Sequence, residues 1–396
     1  MFETLDTAPP DAILGLTEAF QQDANPHKIN LTVGVYKDAN GTTPILDCVK
    51  EAERRLLASE SSKGYLAIDG MREYDQLVRE LLFGPDHEII TSERAATAQS
   101  PGGTGALRVA ADLLARKFPG TRIWVSNPTW ANHPNVFSAA GLDVQRYDYL
   151  DQAGTGLDFD AMLASLQQIP QGDVLLLHAC CHNPTGIDPT AEQWRRISDV
   201  AAERGLLPLV DFAYHGFGHG LSEDAAGLME LARPGREMLV CSSFSKNFGL
   251  YGERVGALTI VAGTSDAARA ALSHAKSCIR SNYSNPPRHG AAIVAAILAD
   301  PELRGRWEQE LAAMRDRING LRRMFAETMS QKAPGSDFSF ITRQCGMFSY
   351  SGLNRMQVDR LRSEFSIYVV GDGRMNVAGM NEDAIDRLCS AIAAVL

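Results

Sequence analysis

The sequence has no long apolar run, no excess of positive charge and no regular cysteine spacing, and each absence excludes a class of protein. No stretch reaches the ~18 apolar residues of a membrane span, and the first residues are acidic where a secretory signal is basic. We therefore expect a cytoplasmic protein without a membrane partner. The formal net charge is -10 at pH 7, whereas nucleic acids bind basic surfaces. We expect no nucleic-acid partner and an enzyme that acts on small molecules.

The cysteines are few and scattered along the chain. There are 7 of them, only Cys180 and Cys181 are adjacent, and no Cys-x-x-Cys pair occurs. This spacing predicts neither a disulfide framework nor a zinc site, so we expect no metal. Most of these cysteines are interpreted as small buried apolar side chains.

The chain has 396 residues, of which 45% are hydrophobic, so it can bury a sizeable core, and its length favours two domains or one large domain with an appendage. From about residue 100 to residue 262, short β-rich runs alternate with amphipathic segments such as Gly105 to Lys117 and Ala191 to Arg204. This alternation predicts a largely parallel α/β sheet. The predicted strands are Arg122 to Ser126, Val174 to Ala179, Leu207 to Phe212, Met238 to Ser243 and Ala257 to Val261.

The pattern changes toward both ends of the chain. After Pro287 it becomes helical, with a long charged stretch from Pro301 to Thr328. Strand-like runs follow, which predicts a second, smaller α+β domain. These runs are Phe338 to Thr342, Met347 to Tyr350 and Ile367 to Val370. Residues 1–14 hold two prolines and few periodic apolar positions, so we expect an arm that lies on a partner subunit.

Lys246 lies among small, hydroxylated and aromatic side chains, in the stretch Ser-Phe-Ser-Lys-Asn-Phe-Gly-Leu-Tyr that starts at Ser243. A lysine amine has a pKa near ~10.4 in water and forms an imine only where its surroundings favour the neutral form. We interpret Lys246 as an imine-forming amine. A solvated surface lysine is the alternative that this stretch alone leaves open.

Polar residues follow other predicted strands, at the edge where open α/β sheets bind ligands. Asp211 ends a buried strand, where a carboxylate needs a cationic partner such as a pyridinium nitrogen. An N-cap or turn aspartate is the alternative. Asn183 lies in a Pro- and Gly-containing turn that could aim its amide inward, although such a turn is also common without function.

The remaining motifs suit a phosphate and a flat ring. Gly-Gly-Thr-Gly at 102–105 opens a helix, whose free N–H groups and dipole attract a phosphate. Arg254 could hold the same phosphate together with the hydroxyls of Ser243 and Ser245. Trp130 could stack on the ring. The alternatives are that Arg254 is an ordinary surface arginine and that Trp130 is an ordinary core tryptophan. Five such motifs at strand ends together predict a site for a phosphorylated ring.

With these motifs the chain closely resembles the class I, fold-type I pyridoxal-phosphate aminotransferases, and within them the bacterial aspartate and aromatic amino-acid aminotransferases. The resemblance extends from Asp11 to Gly379. It implies an α/β fold, with a mostly parallel seven-stranded sheet sandwiched by helices in a large domain, and a smaller α+β domain made from both chain ends. The implied division is an arm at 1-14, small-domain segments at 15-45 and 311-396, and a large cofactor-binding domain at 46-310.

The resemblance implies pyridoxal 5'-phosphate as cofactor and a role for each matching residue. Lys246 would be the Schiff-base lysine and proton shuttle, and Asp211 would pair with the pyridinium nitrogen, with His133 as a neighbour of Asp211. Tyr214 and Asn183 would hydrogen-bond the ring oxygen. The residues implied to bind the phosphate or cover the ring are Gly103, Thr104, Ser243, Ser245, Arg254, Trp130 and, from the neighbouring subunit, Tyr65.

The resemblance also implies the substrates. Arg374 would grip the α-carboxylate under Gly34, next to Trp130 and Asn183, and Arg280 of the other subunit would pair with a distal carboxylate. The implied reaction is ping-pong transamination between L-aspartate or L-glutamate and 2-oxoglutarate or oxaloacetate, in a homodimer with shared active sites.

Other activities remain open on the sequence alone. An aromatic amino-acid aminotransferase that also accepts dicarboxylic substrates is the main alternative. Five residues look like the aspartate-type members: Val35, Lys37, Thr43, Thr104 and Asn285. A decarboxylase or lyase of the same fold should not need both substrate arginines. A non-catalytic protein of this fold should have lost Lys246 or Asp211.

Overall fold

The computed structural model describes residues 2–7 and 12–396. Part of the predicted arm, Met1 and residues 8–11, lies outside the described residues. The helices of the described part, numbered along the chain, are α1 (Ala12–Gln22), α2 (Asp47–Ser59), α3 (Arg72–Phe83), α4 (Glu88–Thr91), α5 (Gly102–Lys117), α6 (His133–Ala139), α7 (Phe159–Gln168), α8 (Ala191–Glu203), α9 (Leu221–Asp224), α10 (Ala226–Leu231), α11 (Ser265–Asn282), α12 (His289–Ala299), α13 (Pro301–Lys332), α14 (Arg355–Phe365) and α15 (Glu382–Val395).

The strands form one large sheet and two small ones. They are β1 (Ile29–Asn30), β2 (Ala95–Pro101), β3 (Arg122–Asn127), β4 (Asp143–Asp148), β5 (Val174–His178), β6 (Leu207–Phe212), β7 (Met238–Ser243), β8 (Val255–Val261), β9 (Phe348–Tyr350), β10 (Ile367–Tyr368) and β11 (Arg374–Asn376). Short 3-10 helices span Phe2–Thr4, Ser339–Arg343 and Val377–Gly379.

The large sheet has seven strands in the order β2-β8-β7-β6-β5-β3-β4. Strand β8 is antiparallel to both of its neighbours, and the other pairs are parallel. The mostly parallel α/β sheet predicted from the alternating pattern is thereby confirmed. All five predicted strands are present, with ends that differ by at most two residues from the prediction.

Helices cover both faces of this sheet, which explains why its central strands are apolar throughout. Successive side chains of a strand point to opposite faces. In β5, Val174 and Leu176 join one apolar cluster while Leu175 and Leu177 join the other. Because every residue of β5, β7 and β8 is buried, these strands show the continuous apolar runs expected of a sheet that is covered on both sides.

A second layer of structure comes from both ends of the chain. Strand β1, near the N-terminus, pairs in parallel with β10, and β9 pairs antiparallel with β11. Helix α13 runs from the sheet region to this layer and packs on α15. The long helix predicted from Pro301 is confirmed, and it begins where the Asp300 carboxylate accepts hydrogen bonds from the backbone N–H groups of Glu302 and Leu303.

The predicted strand from Phe338 to Thr342 is wrong, because this segment contains the 3-10 helix Ser339–Arg343. The Asp337 carboxylate accepts a hydrogen bond from the Ser339 N–H and starts a tight turn. Phe338 and Phe340 then stack with ring centroids 6.0 Å apart instead of pointing to opposite faces. The run from Ile367 to Val370 forms a strand only over its first two residues. Among the described residues, no helix combines the length and the apolar character that a membrane span requires.

Candidate active site

The predicted polar residues meet in a cavity at the carboxyl edge of the parallel strands. The cavity has a volume of about 270 Å³. Lys246 follows β7, and Asp211 lies at the end of β6. Arg374 comes from β11 of the second layer. The remaining sequence-predicted residues that line this cavity are Gly34, Gly103, Thr104, Trp130, Asn183, Tyr214, Ser243, Ser245 and Arg254.

Lys246 presents its amine to this cavity directly after β7. Its Nζ lies 4.6 Å from the centre of the Tyr214 ring. Burial lowers the pKa of this amine, Asp211 acts in the opposite direction, and the charge of Arg254 lowers the pKa further, so that the net shift is downward. The site therefore favours the neutral amine that imine formation requires.

Asp211 is a buried carboxylate held by a histidine. Its Oδ2 lies 3.0 Å from His133 Nε2, and His133 Nδ1 lies 2.8 Å from Thr129 Oγ1. Burial raises the pKa of Asp211, but the hydrogen bond and charge interaction with His133 are the largest opposing contributions, and the net shift leaves the pKa below its usual value. Asp211 is thus ionised at neutral pH and can pair with a cationic ligand atom. The expected contact between His133 and Asp211 is present.

A second histidine extends this group without a polar contact. The His178 ring lies with its centroid 5.2 Å from that of His133 and 4.4 Å from that of His182. Both ring nitrogens of His178 are buried and have no hydrogen-bond partner among the described residues. Burial and the neighbouring His133 lower the pKa of His178 to about 3. Hence His178 is neutral beside the ionised Asp211.

The start of α5 and the turn after β7 form a cradle for an anion. Gly102 has a φ of +77°, and a side chain there would collide with the Arg254 guanidinium. A side chain at Gly103 would lie 3.0 Å from the Ser243 Cβ. Arg254 Nη1 donates to Ser245 Oγ over 3.2 Å. The helix N-terminus, the two serines and the guanidinium therefore converge on one small space, which suits a phosphate.

Arg374 is a second buried cation in the same cavity. Its Nη2 donates to the Thr32 carbonyl over 2.8 Å and its Nη1 to Asn183 Oδ1 over 3.4 Å. The guanidinium also lies 4.3 Å from the centre of the Phe348 ring. Its Nε is buried and has no hydrogen-bond partner in the described part of the chain. A buried guanidinium that is bonded only to neutral oxygens is a ready site for a carboxylate.

Tyr214 and Asn183 lie between Asp211 and Arg374. The Asn183 Nδ2 donates to the Tyr214 hydroxyl over 3.5 Å. Burial raises the pKa of Tyr214, while Arg374 opposes this and Asp211 adds to it, so the phenol stays protonated at neutral pH. Both side chains can therefore donate hydrogen bonds to a ligand oxygen.

Tyr65 and Arg280 do not reach this cavity within one chain. Both line a different cavity of about 850 Å³, together with Asn285. The Tyr65 side chain is 96% exposed. Of the five residues that resemble aspartate-type members, only Thr104 lines the first cavity.

Phe348 and Tyr251 line the cavity and were missed by the sequence analysis. The Phe348 ring packs under Arg374 and closes against Gly34, where an added Cβ would lie 2.6 Å from the ring. The Tyr251 hydroxyl accepts a hydrogen bond from the Tyr36 N–H over 3.0 Å. Tyr251 is the last residue of the Lys246 stretch, so that motif was its only signal in the sequence.

The donor set of the cavity fits pyridoxal phosphate. An anion cradle, an ionised carboxylate, an amine of lowered pKa and two hydrogen-bond donors line one space. These groups match the phosphate, the ring nitrogen, the aldehyde carbon and the ring oxygen of that molecule. The Arg374 guanidinium has no counterpart among these groups of pyridoxal phosphate, so it remains available to bind a second ligand.

Comparison with known proteins gives the same family in sequence and in structure. The family model of aminotransferases of class I and II matches residues 26–392. The chain is 56% identical over 396 residues to an aspartate aminotransferase of Salmonella typhi, with 100% of both chains covered. It is 48% identical over 394 residues to an aromatic-amino-acid aminotransferase of Pseudomonas aeruginosa, covering 100% of this chain and 98% of that protein.

The structural comparison agrees with these relatives. The fold is similar to the crystal structure of an aromatic-amino-acid aminotransferase from Burkholderia pseudomallei covalently bound to pyridoxal phosphate. The TM-score is 0.98 at 48% sequence identity, covering 100% of this chain and 99% of that chain.

Proposed function

The chain belongs to the aminotransferases of class I and II, and we propose that it transfers amino groups between L-aspartate or L-glutamate and 2-oxo acids. The family inferred from the motifs is confirmed, and the enzyme uses pyridoxal phosphate. The observation that carries an amino-acid substrate, through the α-carboxylate that all amino acids share, is Arg374, a buried guanidinium whose Nε lacks a partner among the described residues. A carboxylate of the substrate supplies that partner.

We propose that the cofactor is held by the residues of the cradle and by Asp211. The start of α5, Ser243, Ser245 and Arg254 bind its phosphate, and Trp130 covers its ring. Asp211 keeps the ring nitrogen protonated, and the Tyr214 hydroxyl and Asn183 amide donate to the ring oxygen. When bound, pyridoxal phosphate supplies an electron sink for the electrons released at the substrate α-carbon.

The Nζ atom of Lys246 has two roles in the proposed reaction. With pyridoxal phosphate bound, Nζ would be the point of its covalent attachment, and as a free amine it would accept the α-proton of the substrate. The pKa of Lys246 is lowered by burial, which favours the neutral form of this amine. Arg374 orients the substrate by its α-carboxylate, and Phe348 packs beneath the guanidinium so that it cannot swing away.

We propose that the active unit is a homodimer. Tyr65 and Arg280 lie on the exposed side of the chain, outside the cavity that holds Lys246. Placed at the cavity of a second copy, Tyr65 would complete the phosphate site and Arg280 would pair with the distal carboxylate of aspartate or glutamate.

We propose that the chain forms two domains. One consists of residues 46-310, and the other consists of the segments 15-45 and 311-396. Lys246 reaches the cavity from the first domain and Arg374 from the second. The cytoplasmic location stays a prediction.

The experiment that tests this function is a stopped-flow half-reaction. Holoenzyme is mixed with L-aspartate or with L-phenylalanine, and the change of cofactor absorbance is followed over a range of concentrations. A rate for aspartate that is faster per molar by about a hundredfold, roughly 2.7 kcal/mol of discrimination, identifies an aspartate enzyme. Comparable rates identify the dual-specificity aromatic alternative. No absorbance change with either substrate contradicts transamination.

Lys246→Ala provides the matched control for the chemistry. This variant should bind the cofactor noncovalently and lose turnover, because no amine at this position accepts the α-proton. Normal turnover in Lys246→Ala would overturn the role proposed for this residue.

A further inference from the structure

Two buried thiols and a carboxylate lie directly behind the active-site cavity. The Sγ atoms of Cys181 and Cys345 and an oxygen of Asp188 all lie within 4.8 Å of one another. Cys181 Sγ also lies 4.0 Å from the carbonyl oxygen of Tyr214, a residue that lines the cavity. The proposed transamination uses none of these three groups.

The backbone holds the two cysteines side by side from distant parts of the chain. Cys345 N–H donates to the Gly186 carbonyl over 2.7 Å, which ties the turn after β5 to the segment before β9. Gly346, with a φ of +77°, packs so closely on Cys181 that an added Cβ would collide with the Cys181 Cβ. This close approach of two backbones is what a disulfide requires.

Asp188 is placed to accept a proton from Cys345. Its Oδ2 lies 3.0 Å from Cys345 Sγ, and its two oxygens also accept the N–H groups of Cys181 and His182. Burial raises the pKa of Asp188, which makes it a stronger base than an exposed carboxylate.

A buried cation lies close to the same thiols. Arg322 Nη2 donates to the carbonyls of Gly346 and Phe348, over 2.7 Å in each case. The charges of Cys345 and Cys181 in their ionised forms act favourably on this guanidinium. The neighbouring Cys181 and burial raise the pKa of Cys345, and burial raises the pKa of Cys181, so both cysteines are thiols at rest. Arg322 lowers the cost of a transient Cys345 thiolate.

We propose that Cys181 and Cys345 are a modification site that forms a disulfide when the protein meets hydrogen peroxide. Asp188 takes the Cys345 proton, and the thiolate attacks one peroxide oxygen. An S–O bond forms, the O–O bond breaks, and the departing hydroxide takes the proton back from Asp188 as water. The Cys181 sulfur then attacks the oxidised Cys345 sulfur, and the S–O bond breaks as the S–S bond forms. The hydroxide leaves with the Cys181 proton as a second water.

The disulfide acts on the active site through two short stretches of chain. Cys181 lies two residues before Asn183, and Cys345 lies three residues before Phe348, which packs under Arg374. An S–S bond of about 2.05 Å draws together two sulfur atoms that now lie within 4.8 Å of each other without a bond, so both stretches must shift. The modification therefore slows the reaction of the oxidised enzyme by about tenfold or more. This effect on rate rests on the proposed function, whereas formation of the bond does not.

The test treats native holoenzyme with hydrogen peroxide, quenches it, and blocks the remaining thiols under denaturing conditions without reductant. Peptide mapping by mass spectrometry should find Cys181 linked to Cys345, with loss of two hydrogen atoms. Dithiothreitol should restore the transamination rate, whereas damage to methionine would persist. A bond between other cysteines, such as Cys180 and Cys181, or no bond at all, overturns the proposal.

Cys345→Ser and Cys389→Ser provide the variant comparison. Cys389 is buried near Phe325, away from this pair. Cys389→Ser should lose and regain activity as the unmodified chain does, while Cys345→Ser should show no loss that dithiothreitol reverses. Equal reversible losses in both variants contradict the link to activity. If Cys345→Ser does not fold, Cys181→Ser serves the same comparison. A protein that forms the disulfide but shows no transamination contradicts the proposed function and leaves the modification site standing.

Discussion

Buried charges at single residues determine the chemistry of this site. Asp211 and Arg374 are both more than nine-tenths buried, and moving an ion out of water costs several kcal/mol. Asp211 recovers part of this cost through His133, whereas Arg374 is bonded only to neutral oxygen atoms. The chain therefore holds a guanidinium whose full stabilisation requires the carboxylate of a ligand.

His178 gives a prediction about stability in acid. Its pKa is lowered to about 3 in the folded protein by burial and by His133, while in the unfolded chain it lies near ~6.5. Between these values the unfolded chain binds a proton that the folded protein does not, so the free energy of unfolding falls as the pH falls. We expect His178→Phe to weaken this fall, by on the order of 2 kcal/mol at about pH 4.5.

Urea unfolding of both proteins at pH values between about 4.5 and 7.5 measures this difference. His27→Asn, at an exposed histidine, is the control and should follow the unmodified chain. The interpretation is refuted if the gap between His178→Phe and the unmodified chain stays constant over this pH range.

The polar residues of the site could be predicted from the sequence, and its apolar residues could not. Lys246 follows a strand-like run and Asp211 lies at the end of one, where a charge is costly unless it serves a ligand. Phe348 lies in a run of buried apolar residues, and nothing in its neighbours distinguishes a ring under Arg374 from an ordinary core phenylalanine.

Helix α3 contains a carboxyl group that opposes folding at neutral pH. Asp75 is buried, and its Oδ1 has no hydrogen-bond partner among the described residues. Burial raises its pKa to about 8, although Arg79 in the next helical turn opposes this. Because the folded protein keeps this proton up to about pH 8 while the unfolded chain loses it near pH 3.8, the free energy of unfolding decreases as the pH rises.

Asp75→Asn should therefore leave stability unchanged below this window and increase it on the alkaline side, by on the order of 3 kcal/mol at about pH 8. Denaturant midpoints at acidic and alkaline pH measure the change. Asp86→Asn, at an exposed position, should show no such pH dependence. An equal gain at both pH values would mean that the asparagine acts through packing rather than through ionisation.

Helix α8 begins with a reciprocal cap at Thr190, the residue before its first turn. The Thr190 hydroxyl accepts from the Gln193 N–H, and the Gln193 side chain accepts from the Thr190 N–H over 2.8 Å. We expect Thr190→Ala to lower the free energy of unfolding by about 1 kcal/mol. Thr190→Ser keeps the hydroxyl and should remain close to the unmodified chain. Equal midpoints for the alanine and serine variants in urea would show that the cap contributes nothing.

The strands that could be predicted are the five that lie between the edge strands β2 and β4. Strands β5 to β8 are runs of large apolar residues with turn residues at their ends. The edge strands β2 and β4, with the sequences AATAQSP and DVQRYD, lack that apolar character, and were known only through the seven strands that the resemblance implies. Edge position, which neither propensity nor periodicity reveals, explains this difference.

At the scale of the whole molecule, the site joins parts of the chain that the sequence keeps far apart. Gly34 lies near one end, Arg374 near the other, and Lys246 between them, yet all three line one cavity. Local patterns could predict the elements but not this convergence, because long-range packing leaves no periodic signal. The resemblance to a family supplied the arrangement, including the parts proposed to come from a second subunit.

The shared site gives a prediction for hybrid dimers. Lys246→Ala and Arg280→Ala are co-expressed with different tags, and two-step purification isolates dimers that contain one chain of each. If Arg280 serves the cavity of its partner, one site of the hybrid carries both substitutions and the other carries neither. We then expect about half of the unmodified activity toward L-aspartate from the hybrid, although each parent dimer is strongly impaired. If Lys246 and Arg280 of the same chain formed one site, both sites of the hybrid would be impaired. A hybrid no more active than its parents would therefore exclude the shared arrangement, and elution of the parents at the mass of a single chain would exclude the dimer itself.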